Sequence, residues 1–342
     1  MQGMLFLGDK RVGLRDFPDP KPASGQVVVK MKATGLCGSD LRPYRSTFNG
    51  LGPRANVIGG HEPCGEVAEL GSDVHTLKIG DRVMVHHYSG CGRCEHCLSG
   101  WSQLCQNGMT LYGSMAHGGF ADYQLVEAHM CVPMPESLTY EEGAACSCGT
   151  GTAYQALKRL GVSGRDTFAV FGQGPVGLNA TLFGAATGAN VIAIDPIKER
   201  RELSLKLGAS HTIDPNTVDP IEAIKEITNG LGAEASLDAS GVGEVRRTAV
   251  RSTRIWGRAC FVGEGGSVTF EDVTNDIIHR QVTLLGSWTF STLVLEELGN
   301  YIVDRHIPLK DILLYRYSLD RIEEAFALFE GGNAGKSTII WR

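Results

Sequence analysis

The stretch that decides the fold is Thr167–Leu178, TFAVFGQGPVGL. A short apolar run leads directly into Gly172, Gly174 and Gly177, and helical spacing of apolar residues then continues to Thr187. Glycines in a G-x-G-x-x-G pattern between a strand and a helix let the backbone turn tightly and approach a pyrophosphate. The charge of that group meets the helix N-terminus. Asp195 ends the next apolar run, NVIAID. A carboxylate there accepts hydrogen bonds from a ribose 2′-OH and repels a 2′-phosphate, so NAD is expected over NADP. Arg200 either neutralises such a phosphate or packs on the adenosine side. The runs EASLDA (234–239) and RACFVG (258–263) continue the alternation, and Gly263 is counted with the cofactor-binding positions. Strands separated by helices predict a doubly wound parallel sheet over 151–287.

Outward from this segment the texture changes. Up to residue 150 short β-rich runs, QVVVK (26–30), EVAE (66–69) and DRVMVH (81–86), are each followed by turn residues. This pattern predicts a small antiparallel β-barrel. Residues 288–342, with a helical pattern over 319–329 and the closing strand STIIW, are expected to return to that first domain. Within it, at about 88–108, Cys91, Cys94, Cys97 and Cys105 stand as C-x2-C-x2-C-x7-C. Thiolates at such gaps suit a closed tetrahedral zinc site of structural type, whereas disulfides need an oxidising compartment.

Composition narrows the function. The 342 residues carry 32 Lys plus Arg against 38 Asp plus Glu, a net charge of −6, so no basic footprint invites nucleic acid. No apolar stretch approaches the roughly 20 residues that span a bilayer, and the first residues do not read as a signal peptide. A cytoplasmic enzyme acting on a small molecule is expected, without nucleic-acid or membrane partners. The other cysteines (Cys64, Cys131, Cys146 and Cys260) read as buried inert thiols, and the pair His86-His87 as packing or surface. Lys336, in AGKST, is a candidate to reach the pyrophosphate.

Three further motifs, TGLCGSD around Cys37, GGHEPCGEV around His61-Glu62 and ACSCGTGTAY around Cys148, stand in one order with the cysteine lobe and the glycine loop. Together they resemble the zinc-dependent medium-chain alcohol dehydrogenases, in particular the threonine, sorbitol and polyol branch, over the whole chain. The resemblance implies a GroES-like barrel plus a Rossmann domain, two zinc ions per chain, NAD(H), and a homodimer or homotetramer. It makes Cys37, His61 and Cys148 the catalytic zinc ligands, with Glu62 able to bind when water or substrate leaves. Cys148 stands six residues before Tyr154, as the family's third ligand does; Cys146 competes for that role. Asp40 would hold His61 from behind, Ser39 would take the alcohol proton, and Thr152 and Val176 would lie against the nicotinamide. An ion with an open position lowers the pKa of an alcohol, and hydride then passes to the nicotinamide.

The implied reaction converts a secondary alcohol, polyol or hydroxy-substituted molecule to a ketone or aldehyde. The alternatives are NADH-dependent carbonyl reduction, or a threonine-dehydrogenase-like oxidation of an anionic or amino alcohol. One position departs from the family: Arg42 replaces the usual relay histidine. Arg42 and Arg54, with Arg45 in the same segment, form a solvated face, contact the cofactor's phosphates, or clamp an anionic substrate. Trp288 is a candidate substrate contact.

Overall fold

The computed structural model describes residues 1–341. The chain divides into two compact units. One comprises 1–151, 290–331 and 336–342, and the other 152–289 and 332–335.

The first unit is built on a seven-stranded sheet. Its order is Leu313–Tyr317, Lys336–Ile340, Gln26–Gly35, Pro63–Leu70, Arg82–Val85 and Cys131–Pro133, with Tyr123–Glu127 also pairing to Gln26–Gly35. All pairings are antiparallel except that between Leu313–Tyr317 and Lys336–Ile340. Strand Gln26–Gly35 is twice as long as the run QVVVK. Its first half pairs with Tyr123–Glu127 and its second half with the terminal strand. That second half places Cys37 just past the end of the strand, where the Leu36 N–H donates to the carbonyl of Ser337. Val27, Val29, Met31, Val67, Val83 and Val85 fill one apolar cluster, as alternation along strands requires. A second cluster joins Phe6, Tyr44 and Phe120 to Phe326 of the helix Ile322–Glu330. The Phe6 and Phe326 rings meet edge to face at 5.7 Å. Truncating a fully buried ring of this kind costs about 3–5 kcal/mol, which ties the C-terminal segment to the barrel.

In the second unit six strands are all parallel. Their order is His211–Ile213, Asn190–Ile194, Thr167–Phe171, Ala233–Asp238, Thr253–Phe261 and Thr283–Gly286. The chain starts in the middle and winds outward both ways, so a crevice forms at the C-terminal ends of the central strands. The GroES-like and Rossmann architectures expected from the sequence are those observed.

Candidate functional site

Each glycine of the loop at the head of strand Thr167–Phe171 has its own reason. Gly172 has φ +89°, a left-handed conformation that side chains resist. A Cβ on Gly177 would lie 1.7 Å from the Gly172 carbonyl oxygen, so helix and strand pack too closely for any other residue. A Cβ on Gly174 would meet nothing within 4 Å, which leaves room for a ligand to approach the backbone. The helix Pro175–Ala186 starts with proline at its first turn and no acidic side chain there, so its free N–H groups face an anion unopposed. Val176 lies in this first turn, and Thr152 is buried in the helix Gly151–Leu160. These features fit a dinucleotide.

Asp195 is 2 % exposed and already holds the loop together. Its carboxylate accepts the Gln173 N–H at 2.6 Å and the Ile197 N–H at 2.8 Å, with Arg200 Nη1 at 3.7 Å. A carboxylate offers about four acceptor positions, so capacity for a ribose remains. Gly263 has a packing reason of its own: a Cβ there would lie 2.2 Å from the Gly241 nitrogen. Trp288 is 38 % exposed.

In the first unit, Cys37, His61, Glu62 and Cys148 each offer a donor atom, and these four atoms lie within 4.8 Å of one another. Cys146, the competing cysteine, is fully buried outside this set. The Cys37 and Cys148 sulfurs are 4.0 Å apart. Tetrahedral zinc with Zn–S bonds of about 2.3 Å places two sulfurs about 3.8 Å apart, so the pair fits zinc as it stands.

Asp40 orients two of the donors at once. One carboxylate oxygen accepts the Cys37 N–H at 2.9 Å, and the other is 3.0 Å from His61 Nδ1. The His61 lone pair is thereby directed to Nε2, where Ser39 Oγ lies 3.1 Å away. The third donor comes from a five-residue π-turn, Cys146–Thr150, following the helix Tyr140–Ala145. Such wide turns free backbone groups and are frequent at functional sites. Ser147 Oγ anchors this turn to the His61 loop by donating to the Pro63 carbonyl at 3.0 Å.

The electrostatics favour a cation. A hydrogen bond from the Cys148 thiol holds Cys37 well below the ordinary thiol range, and the same contact pushes Cys148 well above it. Thiolate character at Cys37 is the form that ligates a metal. Burial opposes charge on His61, but the Asp40 carboxylate outweighs it and raises the imidazole. Burial pushes Glu62 up to about 7, against the pull of Lys336.

Lys336 corrects the sequence reading. Rather than reaching toward a pyrophosphate, it is 1 % exposed, with Nζ 2.5 Å from Glu62 and donating to the Leu36 carbonyl at 3.0 Å. Gly35 makes room for the pair, since a Cβ there would lie 1.9 Å from Glu62 Oε2. The histidine pair is likewise packed, not exposed: His86 is 0 % and His87 2 % accessible. His86 contacts the carbonyls of Tyr88 and Phe290, and His87 that of Ser147. Among the arginines, Arg42 is exposed and Arg45 pairs with Glu330 at 2.8 Å. Arg54 is half-buried and donates to Ser114 Oγ.

The four lobe cysteines also form a set with donor atoms within 4.8 Å, Cys94 and Cys105 being 3.9 Å apart. Backbone N–H of Arg93, then the Asn107 side chain, lower Cys91 to about 5. All ten cysteines are unpaired.

A dinucleotide-type sheet joined in one chain to soft metal-ligand sets defines a metal-dependent, nucleotide-linked oxidoreductase. Residues 23–136 match the alcohol dehydrogenase GroES-like domain, and residues 175–303 match the zinc-binding dehydrogenase domain. An uncharacterized zinc-type alcohol dehydrogenase-like protein of Escherichia coli K12 is 37 % identical over 99 % of this chain and 98 % of its own. The L-threonine 3-dehydrogenase of Pyrococcus horikoshii is 32 % identical over 93 % and 91 %. The solved alcohol dehydrogenase of Thermus sp. ATN1 superposes with a TM-score of 0.91 at 25 % identity, covering all of both chains. The chain belongs to the zinc-type alcohol dehydrogenase family. It is an oxidoreductase acting on CH–OH groups, with zinc and NAD(H) as cofactors.

Proposed function

We propose that the protein oxidises a secondary alcohol or polyol with NAD, using a catalytic zinc held by Cys37, His61 and Cys148 and a structural zinc held by Cys91, Cys94, Cys97 and Cys105. The observation that carries this reading is the 4.0 Å approach of the Cys37 and Cys148 sulfurs beside an Asp40-oriented His61. Bound there, zinc would lower the pKa of an alcohol hydroxyl, and bound NAD would accept hydride. The chain's own part is to hold the donors, set the His61 tautomer through Asp40, and offer Ser39 Oγ as the first proton acceptor. Glu62 is held back by Lys336. Mixing the zinc-loaded protein with NAD and simple alcohols, polyols, hydroxy acids and amino alcohols, and reading NADH absorbance, tests the activity and its class. No turnover of any class would sink it.

Asp195 supports NAD over NADP. In Asp195→Ala a charged acceptor is lost, at about 1.5–3 kcal/mol. NAD affinity is expected to fall roughly tenfold to hundredfold, with NADP becoming competitive. Dissociation constants by NADH and NADPH fluorescence check this, and a wild-type preference for NADP would instead make Arg200 a phosphate ligand.

A second reading, an anionic substrate, is favoured by Arg54, whose guanidinium is half-buried and near enough to feel both Asp40 and Arg42. If it clamps a carboxylate, Arg54→Ala raises KM for hydroxy acids by about tenfold to hundredfold and leaves neutral alcohols unchanged. An equal change for both would remove the clamp.

A homo-oligomer is supported by the edge strand Thr283–Gly286, whose residues are largely exposed, with Ile255 and Trp256 beside it at 57 % and 75 % exposure. A cytoplasmic location is supported by ten unpaired thiols; no helix among the described residues is long and apolar enough to cross a membrane.

A further inference from the structure

Gln173 fills the first variable position of the glycine loop, where the G-x-G-x-x-G pattern asks for no particular side chain. Its side chain is nonetheless fully buried and bonded at both polar atoms. It stands between Gly172 and Gly174, the residue type least able to hold its own backbone. Nε2 donates to the Val170 carbonyl at 3.0 Å, in the strand Thr167–Phe171. Oε1 accepts from Thr181 Oγ1 at 2.9 Å and lies 3.1 Å from Ser204 Oγ, whose hydrogen is shared with the Arg200 carbonyl. The amide can stand only this way round, because turning it would set its oxygen against the Val170 carbonyl. Val170, Thr181 and Ser204 are themselves fully buried, so water does not compete for these bonds.

One side chain thus ties the glycine loop to its own strand and to the helices Pro175–Ala186 and Lys198–Lys206. The backbone of the same residue meets Asp195. Its N–H donates to Oδ2 at 2.6 Å, while the Ile197 N–H holds Oδ1 at 2.8 Å. The Gly172 N–H anchors the near end of the loop on the Ile194 carbonyl at 2.8 Å. Beyond that point the Gln173 amide sets where the peptide sits, and the peptide sets where the carboxylate points. Hydrogen bonds fix direction, which apolar packing of the same volume does not.

We propose that Gln173 is a positioning residue for the cofactor: by pinning the glycine loop from behind, it aims the Asp195 carboxylate at the adenosine ribose and so sets the selectivity for a ribose 2′-hydroxyl. The inference rests on the assignment of Asp195 to that ribose above. Its physical content is that an acceptor discriminates only while it is aimed. A carboxylate swung away from the ribose still carries its charge, but no longer tells a hydroxyl from a hydrogen.

The test uses ADP and 2′-deoxy-ADP, which differ by that hydroxyl alone, titrated calorimetrically into the full-length, zinc-loaded protein. Wild type is expected to bind ADP about tenfold to hundredfold tighter, the usual worth of a hydrogen bond to a charged acceptor, and Asp195→Ala to bind both alike. In Gln173→Leu the ratio should fall to within about threefold of unity. That variant leaves the Thr181 and Ser204 hydroxyls facing an apolar group, which destabilises the unit. Adding Thr181→Val and Ser204→Ala removes those hydroxyls, so the triple variant should regain stability toward denaturant and still lack the preference. Ile224→Ala, a core truncation in the same unit, should lose stability and keep the wild-type ratio. A wild-type ratio in Gln173→Leu or in the triple variant overturns the inference, as does loss of the ratio in Ile224→Ala. A wild type that binds both nucleotides alike removes the Asp195 assignment and the inference with it. A ratio abolished by Asp195→Ala but untouched in the Gln173 variants removes the inference alone.

Discussion

Cys37→Ala is expected to reduce turnover by a thousandfold or more while NADH binding persists. A Lewis acid contributes several kcal/mol to stabilising developing charge, at about 1.4 kcal/mol per decade of rate. Without the Cys37 sulfur the set retains one thiol, one imidazole and a carboxylate already engaged by Lys336. The glycine loop and Asp195 belong to the other compact unit, so cofactor affinity is expected to stay within about twofold. Metal analysis should fall from two zinc ions to one, the survivor being the lobe's. Fully active wild-type protein with a single zinc would refute the assignment of two sites.

Lys336→Met is expected to destabilise the fold by about 3–5 kcal/mol, the usual cost of leaving a buried charge unpaired. Both partners are almost wholly inaccessible, so water cannot take over. The folded variant must hold Glu62 protonated. A carboxyl whose folded pKa exceeds its unfolded value near 4.3 loses stability as pH rises. The deficit should therefore be smallest in acid and deepen from about pH 4 upward. Adding Glu62→Gln should recover most of it, and chemical denaturation of the two single variants and the double variant measures the coupling. Additive losses would mean that the pair does not act as a unit.

The parts legible in the sequence are those whose chemistry is local. Four cysteines on short gaps and three glycines between a strand and a helix carry their geometry in their spacing, and both appear where expected. Cys37, His61 and Cys148 are far apart in the chain, and spacing alone could not join them; the resemblance to a family did. What stayed hidden depends on distant partners. Lys336 reads as a candidate for the pyrophosphate, and only the pairing of Lys336–Ile340 with Gln26–Gly35 turns it onto Glu62. His86-His87 reads equally as surface or core until the carbonyls of Phe290 and Ser147 are in place. Asp195 is legible as a carboxylate at a strand end, but its grip on the Gln173 and Ile197 N–H groups is not. The one available signal for Lys336 was a lone cation at the mouth of the buried run STII.

The placement of Lys336 also separates local from long-range closure. The lobe cysteines close a loop of 15 residues, from Cys91 to Cys105, a short closure that costs little chain entropy. The catalytic set must bridge from Cys37 to Cys148, and Glu62 waits for a cation separated from Leu36 by 300 positions. Contacts of such long range form late. The four-cysteine set thus rests on contacts that are local in the chain, whereas the charge on Glu62 is balanced only once the strand Lys336–Ile340 is paired beside Gln26–Gly35.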